Sequence, residues 1–421
     1  MNKANRRLRA VHRTIERDPL PASLTQALIL PDDARLTLSL PSNPEDGTHV
    51  VINDVPLCAY KSLARTVALV ISAVGTPFEN SAHHIPKYPV LELLPADQPK
   101  DISIADFWAV IYSLFNRYHM QETIPILITD DLTNRAQLES YVIGSGIGRR
   151  QHAQPVGPEL FLSRTAFWQG GGTNGYHMRG WLPPKSSTTI YSYAVFPTVQ
   201  SFTRNSLVIA AHPLRPPKPQ EGEVLYRRFC PMVGQMLEFT HFNLEEKENG
   251  NDYVGAHLDA FHRWHNDERV NRGWGEKGSM EKHRKYVREV MNDPSVLPVM
   301  MSWDGELMGY LEIVWIKENH VSQYIPGGTK DWDRGIHVLV GEDKFRGYER
   351  AQSWYRSLHQ YCFLADPRTE TVVAEPKSSN TGMVEVSMGT SMHVQTLFDF
   401  PYKRSALMWN PRERFFKLDM L

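Results

Sequence analysis

The sequence predicts an α/β chain, of the α+β kind, folded as two domains. Three observations lead there. Its 421 residues suggest two or three domains at roughly 100–200 residues each, two being the simpler count. Strand-like and helix-like periodicities alternate along the chain. Two breaks rich in glycine or proline interrupt them. Hydrophobic residues make up 41% and charged residues 22%, which supplies real cores and excludes a mostly disordered or collagen-like chain. Lys plus Arg total 46 against 47 Asp plus Glu, a formal charge of −1. The basic excess of a protein that lives on nucleic-acid phosphates is missing, so no nucleic-acid partner is expected.

Residues 1–30 read as an N-terminal extension, basic at its start but without the apolar stretch of a secretory signal. The first domain then runs over residues 31–212. Residues 35–40 alternate apolar and polar side chains as a half-buried strand does, and 48–55 and 90–94 read alike. Residues 104–118 carry Phe107, Ile111, Leu114 and Phe115 at helical spacing after an acidic start at Asp101. Residues 124–129 are a short apolar run suited to a buried strand, and 131–143 a helix with Leu138 and Tyr141 inward. The glycines, prolines and Ser/Thr cluster of 169–188 make loop. The second break, 213–222, is stiffened by its prolines and is placed as the linker between the domains.

The second domain, residues 223–421, is more regular. Strands are expected at 224–228 and 235–240. A helix over 252–267 puts Val254, Leu258, Phe261 and Trp264 on one face, and a second over 276–292 turns Met280, Val287 and Met291 inward. Residues 298–303 and 306–316 form a hairpin about Asp304-Gly305, a strong two-residue turn signal. A strand at 335–341, a helix at 348–364, a strand at 371–374, a short helix at 382–392 and a hairpin over 394–409 complete the order.

Cys58, Cys230 and Cys362 are far apart and match no disulfide or zinc spacing, so a reducing compartment is expected. Apolar stretches are too short to span a bilayer, and no membrane association is expected. His257, His262 and His265 are not spaced for one helical metal face, and no HExxH or Gly-x-Ser-x-Gly segment occurs; no metal site is expected.

The most informative segment is Gly335-Ile-His-Val-Leu-Val-Gly-Glu-Asp-Lys-Phe-Arg-Gly-Tyr-Glu-Arg-Ala351. A strand delivers a loop with Gly341, Lys344, Arg346 and Gly347 directly into an amphipathic helix. Backbone N–H groups at a helix start, backed by the macrodipole, bind phosphate. Gly347 permits close backbone approach, and Lys344, Arg346 and Arg350 add positive charge. A plain strand–turn–helix with solvated basic residues would look the same on spacing alone.

This segment, followed by Val-Val-Ala-Glu-Pro376 and Asn380, resembles the acyl-CoA motif of the GNAT superfamily of N-acetyltransferases. Phe261-His-Arg-Trp-His-Asn-Asp-Glu-Arg-Val270, Gly273-Trp-Gly-Glu276 and Phe363-Leu-Ala-Asp-Pro-Arg368 resemble its siderophore hydroxamate branch, which holds N-hydroxylysine acetyltransferases and fungal hydroxyornithine transacylases. The resemblance covers about residues 222–421, and Phe167-Trp-Gln-Gly-Gly-Gly172 is similar to the fungal members. It implies tandem GNAT-like domains, each a mixed, mainly antiparallel sheet flanked by helices, with the first degenerate. Glu349 departs from the family's pattern, which has a small residue at that place in the loop.

The resemblance also implies roles. His337 faces the acyl-acceptor nitrogen as a base. Val338, Val340, Lys344, Arg346, Gly347, Arg350 and Asn380 hold acyl-CoA. Trp264, Asp267, Trp274 and Glu276 build the acceptor pocket, with core packing or helix capping as their structural alternatives. Mycobactin-type members carry Asp where this chain has Lys377, so Lys377 and Ser379 are taken to hold substrate or pantetheine. The expected reaction is transfer of an acyl group, anhydromevalonyl or acetyl, from acyl-CoA to the hydroxylamine nitrogen of N5-hydroxyornithine. A hydroxylamine is neutral near pH 7, so one histidine suffices for a task worth roughly 10²–10⁴-fold. Transfer is direct, because no cysteine lies in a motif segment. The alternatives are an acetyltransferase of an ordinary amine, such as lysine or a polyamine, and a non-catalytic assembly protein. A homodimer in the cytoplasm, or in the peroxisome as some fungal relatives are, completes the expectation.

Overall fold

The computed structural model describes residues 27–39, 47–68, 87–98, 100–119, 121–151, 157–183, 199–245, 253–418 and 421. Most of the expected N-terminal extension lies outside them. Two compact units divide between Gly180 and Trp181.

The first unit runs β1 (Leu28–Ile29), β2 (Arg35–Ser39), β3 (Thr48–Ile52), β4 (Val55–Ala68), β5 (Lys87–Pro95), α1 (Ile104–Arg117), β6 (Thr123–Ile128), α2 (Arg135–Gly144), β7 (Gly148–Arg149), β8 (Leu160–Ser163) and α3 (Arg164–Trp168). Its sheet has the order β1-β2-β3-β4-β5-β6-β8-β7. Ser103 caps α1 by accepting from the Asp106 N–H, and the helix buries Phe107, Trp108, Ile111, Leu114 and Phe115.

The second unit opens with a hairpin, β9 (Gln200–Arg204) and β10 (Ile209–Pro213). The proline-rich stretch that follows has no regular secondary structure. Arg215 in it forms a buried pair with Glu318, and Lys218 donates to the carbonyls of Val290 and Met291. The rest runs β11 (Val224–Cys230), β12 (Gln235–His241), α4 (Ala256–Asn266), α5 (Glu268–Trp274), α6 (Met280–Asn292), β13 (Val296–Trp303), β14 (Glu306–Trp315), β15 (Arg334–Val340), α7 (Tyr348–Ala365), β16 (Thr371–Ala374), α8 (Thr381–Met388), β17 (His393–Phe400), β18 (Lys403–Pro411) and α9 (Arg412–Lys417). The sheet order is β11-β12-β13-β14-β15-β16-β18-β17.

Counted from its own first strand, each sheet has the same order. Among the described residues each has one parallel pair, between its fifth and sixth strands: β5 with β6, and β15 with β16. This is the mixed, mainly antiparallel sheet the resemblance implies, present twice.

The Asp304-Gly305 turn forms as its sequence requires, with both residues at positive φ, 49° and 81°. Two features depart from the sequence reading. Helix α5 was not expected; Asp267 closes α4 and caps α5, and only Val270 of its seven residues is buried, too few to leave a periodicity. Helix α7 was expected to bury one face, yet Gln352 to Phe363 are all buried. Its polar residues bond internally: Gln352 to the Val386 carbonyl, Arg356 to the Gly389 carbonyl, and Gln360 from the Tyr226 hydroxyl. Among the described residues, no helix is long and apolar enough to cross a membrane.

Candidate active site

Strand β15 is hydrogen-bonded along its whole length to β14, with His337 opposite Glu312. Its parallel pairing to β16 covers only Arg334↔Val372 and Gly335↔Val373. Beyond Gly335 the two strands part. Residues 336–340 are left, among the described residues, with no strand on their β16 side. Backbone N–H and C=O groups on such an edge can pair with an extended ligand as another strand would.

His337 sits two residues into this split. Strand alternation buries Ile336 and leaves His337 half-buried. Its Nδ1 lies 3.2 Å from Glu312 Oε2, and its Nε2 lies 3.4 Å from Glu375 Oε1. The other Glu312 oxygen accepts from the hydroxyls of Tyr286 at 2.7 Å and Tyr310 at 2.9 Å. The other Glu375 oxygen takes the Lys403 ammonium. Pro376, directly after Glu375, lacks an N–H and helps end β16, placing that carboxylate at the lip of the split.

Burial alone would push the His337 pKa down, but the two carboxylates overcome it and raise it to about 10. Burial likewise disfavours both carboxylates in their charged form. Their hydrogen bonds from His337, with the tyrosine hydroxyls at Glu312 and Lys403 at Glu375, hold them below the ordinary range. Tyr286 and Tyr310 are pushed up, by burial first and then by the Glu312 charge.

The loop after β15 leads into α7 through Gly347, whose φ of 131° favours glycine. Lys344 pairs with Glu306, Arg346 with Asp343 at 3.3 Å, and Arg350 with Gln235 at 3.2 Å. These are partners on or near the surface that a phosphate can displace. The loop's start is held by side chains of α4 and α5. Arg269 of α5 donates to the carbonyls of Val340 and Gly341 at 2.9 and 2.8 Å. Trp264 Nε1 donates to Glu342 at 2.8 Å, and its ring lies so close to Gly341 that a Cβ there would fall 2.1 Å from it.

The remaining sequence-selected residues lie as follows. Trp264 is 2% exposed in a core cluster with Phe261 and Tyr310, and its polar atom serves Glu342. Asp267 caps α5, accepting from the N–H groups of Arg269 and Val270. Asn380 caps α8, accepting from Met383 N–H. Trp274 is half-buried, its ring centre 5.8 Å from that of Tyr310, which brings it to the Glu312 side of the site. Glu276 pairs with Lys282 at 3.0 Å. Lys377 and Ser379 are exposed, and Lys377 reaches the Arg272 carbonyl at 3.4 Å.

Sequence reasoning missed Glu312, Lys403, Tyr286, Tyr310 and Arg269. Glu312 had a signal: it is the lone charge in the apolar run Met-Gly-Tyr-Leu-Glu-Ile-Val-Trp315. A carboxylate inside a buried strand must have partners. The three cysteines are free and buried, and burial pushes the Cys58 and Cys362 thiols up to about 12 and raises that of Cys230. Such thiols are poor nucleophiles.

Residues 254–400 match the acetyltransferase (GNAT) domain. The chain is 36% identical over 382 residues to an acyltransferase of Omphalotus olearius, spanning 90% of this chain and 91% of the relative. It is 34% identical over 332 residues to a hydroxyornithine transacylase of Ajellomyces capsulatus, spanning 75% and 72%. Among solved structures, it is similar to an uncharacterized protein of Bacillus halodurans, with 24% identity and a TM-score of 0.42, over 48% of this chain and 96% of that one.

Proposed function

The chain belongs to the GNAT acyltransferase family, in its siderophore hydroxamate branch, and we propose that it acylates the hydroxylamine nitrogen of N5-hydroxyornithine. It is an acyl-CoA-dependent N-acyltransferase. The observation that carries the proposal is the split between β15 and β16, with His337 inside it and a cationic loop and helix start beyond it. Pantetheine lies along the edge of β15 at Val338 and Val340, sharing the Val340 carbonyl with Arg269. The phosphates take the α7 N-terminus at Gly347, with Lys344, Arg346 and Arg350 around it. The thioester carbonyl then reaches His337. The acceptor enters past Trp274, with Lys377 and Ser379 at the rim for its carboxylate and Asp267 or Glu276 for its α-amino group. The donor is anhydromevalonyl-CoA or acetyl-CoA. Thiol release with hydroxyornithine across a panel of acyl-CoA donors, with mass analysis of the product, tests this. A hydroxamate of one donor is expected; equal turnover of ornithine would sink it in favour of an ordinary-amine acetyltransferase.

We read the first unit as a degenerate copy. What supports this is the junction that corresponds to the split. There β5 pairs with β6 at Leu91↔Ile126, Glu92↔Leu127 and Leu93↔Ile128. Thr129 N–H donates to the Leu93 carbonyl, and beyond the ends of both strands Lys100 and Leu132 form an isolated parallel bridge. The β5 edge that corresponds to the split thus has backbone partners from Leu91 to Leu93. Asp101 and Asp106 flank the start of α1, where a phosphate would meet like charge.

A further inference from the structure

We propose that Glu375 takes the proton from the attacking nitrogen and returns it to the departing thiolate, while His337 stays an imidazolium between two carboxylates. The inference rests on the N-acyltransferase reading above.

Hydrogen-bond accounting leads to it. Both His337 nitrogens face carboxylate oxygens, at 3.2 and 3.4 Å. An ionised carboxylate donates nothing, and a neutral imidazole has one N–H. A neutral His337 would therefore set a lone pair against one of the two carboxylates. Protonating a carboxylate instead is opposed on both sides. Glu312 already accepts from Tyr286 and Tyr310, and Glu375 is paired with Lys403. The other titratable groups around Glu375 are His320, itself pushed towards neutrality by burial, and the phenols of Tyr355 and Tyr402, both pushed up chiefly by burial. His337 thus carries both protons and has no lone pair to act as a base.

Topology selects between the two carboxylates. Glu312 belongs to β14, which β15 separates from the split. Glu375 follows β16 directly, on the opposite wall of that split. His337 and Glu375 meet 3.4 Å apart at the mouth of the split, so a thioester carbonyl lying along the free edge of β15 is presented to both side chains from the same side.

The step balances without an outside reagent. The hydroxylamine lone pair attacks the thioester carbon, a C–N bond forms, and the carbonyl electrons move to oxygen. The N–H proton passes to the Glu375 carboxylate. Collapse re-forms C=O and breaks C–S, and the thiolate takes the proton from the Glu375 carboxylic acid. The imidazolium stabilises the negative charge that develops on oxygen. The hydroxyl group makes the adduct's N–H acidic enough for a carboxylate, whereas an alkylamine adduct needs a stronger base. The same arrangement therefore selects a hydroxylamine.

The test is steady-state thiol release by the full chain with hydroxyornithine, comparing Glu375→Gln, Glu375→Asp and His337→Gln with wild type. Acyl-CoA affinity measured by calorimetry reports whether each variant is folded. Glu375→Gln is expected to lower kcat about 100-fold or more with acyl-CoA affinity retained, and to lose the acid limb of the kcat–pH profile. His337→Gln is expected to fall about tenfold, the smaller effect, and to keep that limb. Glu375→Asp, which retains a carboxylate, keeps more activity than Glu375→Gln. A larger loss in His337→Gln than in Glu375→Gln, or equal losses in the two Glu375 variants, overturns the inference and leaves the substrate assignment standing. Absence of thiol release by the wild-type chain with hydroxyornithine overturns both.

Discussion

Replacing Glu312 by Gln tests the charge chain at its buried end. One Glu312 oxygen takes both tyrosine hydroxyls and the other takes His337 Nδ1. Glutamine keeps the first set through its carbonyl. It turns an amide N–H₂ toward Nδ1, which must then offer a lone pair. Losing a hydrogen bond to a charged partner costs about 1.5–3 kcal/mol. At ~1.4 kcal/mol per tenfold, that lowers the His337 pKa from about 10 to about 8–9. The sign for stability follows. The folded value of about 10 lies above the ordinary 6.5, so His337 contributes stability that is complete below pH 6.5 and lost as pH rises through 10. The ceiling on that contribution is about 5 kcal/mol. The carboxylates, with lowered values, act in the opposite direction, contributing above the ordinary carboxylate range and failing as pH falls below it. Wild type should therefore lose stability in denaturant between pH 6.5 and 10, and Glu312→Gln should lose about 2 kcal/mol less over the same interval. His337 proton resonances should titrate near 10 in wild type and about 1–2 pH units lower in the variant. A wild-type His337 titrating near 6.5, or identical pH dependence in both proteins, would refute the reasoning.

Gly347→Ala puts a Cβ on a φ of 131° that L residues rarely adopt; it should cost about 1–3 kcal/mol and raise KM for acyl-CoA in steady-state kinetics. Trp264→Phe removes the 2.8 Å bond to Glu342. It should destabilise by about 1 kcal/mol and raise KM for acyl-CoA while leaving that for the acceptor alone, which separates an anchor of the loop from a wall of the acceptor pocket. Arg269→Ala frees the Val340 and Gly341 carbonyls and should weaken acyl-CoA binding about tenfold by calorimetry, with little change in kcat.

The sheet, the hairpin at Asp304-Gly305 and the strand–loop–helix of residues 335–351 were legible because each is written in local periodicity or turn chemistry. His337 was legible through its place in that segment. Its partners were not, for a physical reason. Glu312 lies 25 residues before His337 and Glu375 lies 38 after it. What brings them to one imidazole is register: Glu312 stands opposite His337 on β14, and the short parallel pairing of β15 with β16 sets Glu375 just past the point where the strands part. A one-residue slip in either ladder would turn a carboxylate to the other face of the sheet. Register depends on the whole packed sheet, so no window of sequence contains it. The same dependence bears on the first unit, whose strand order matches the second yet whose β5–β6 pairing covers three residue pairs where β15–β16 covers two. Topology places the parallel junction in this fold; where its pairing ends decides how much of the strand edge is left without a neighbour.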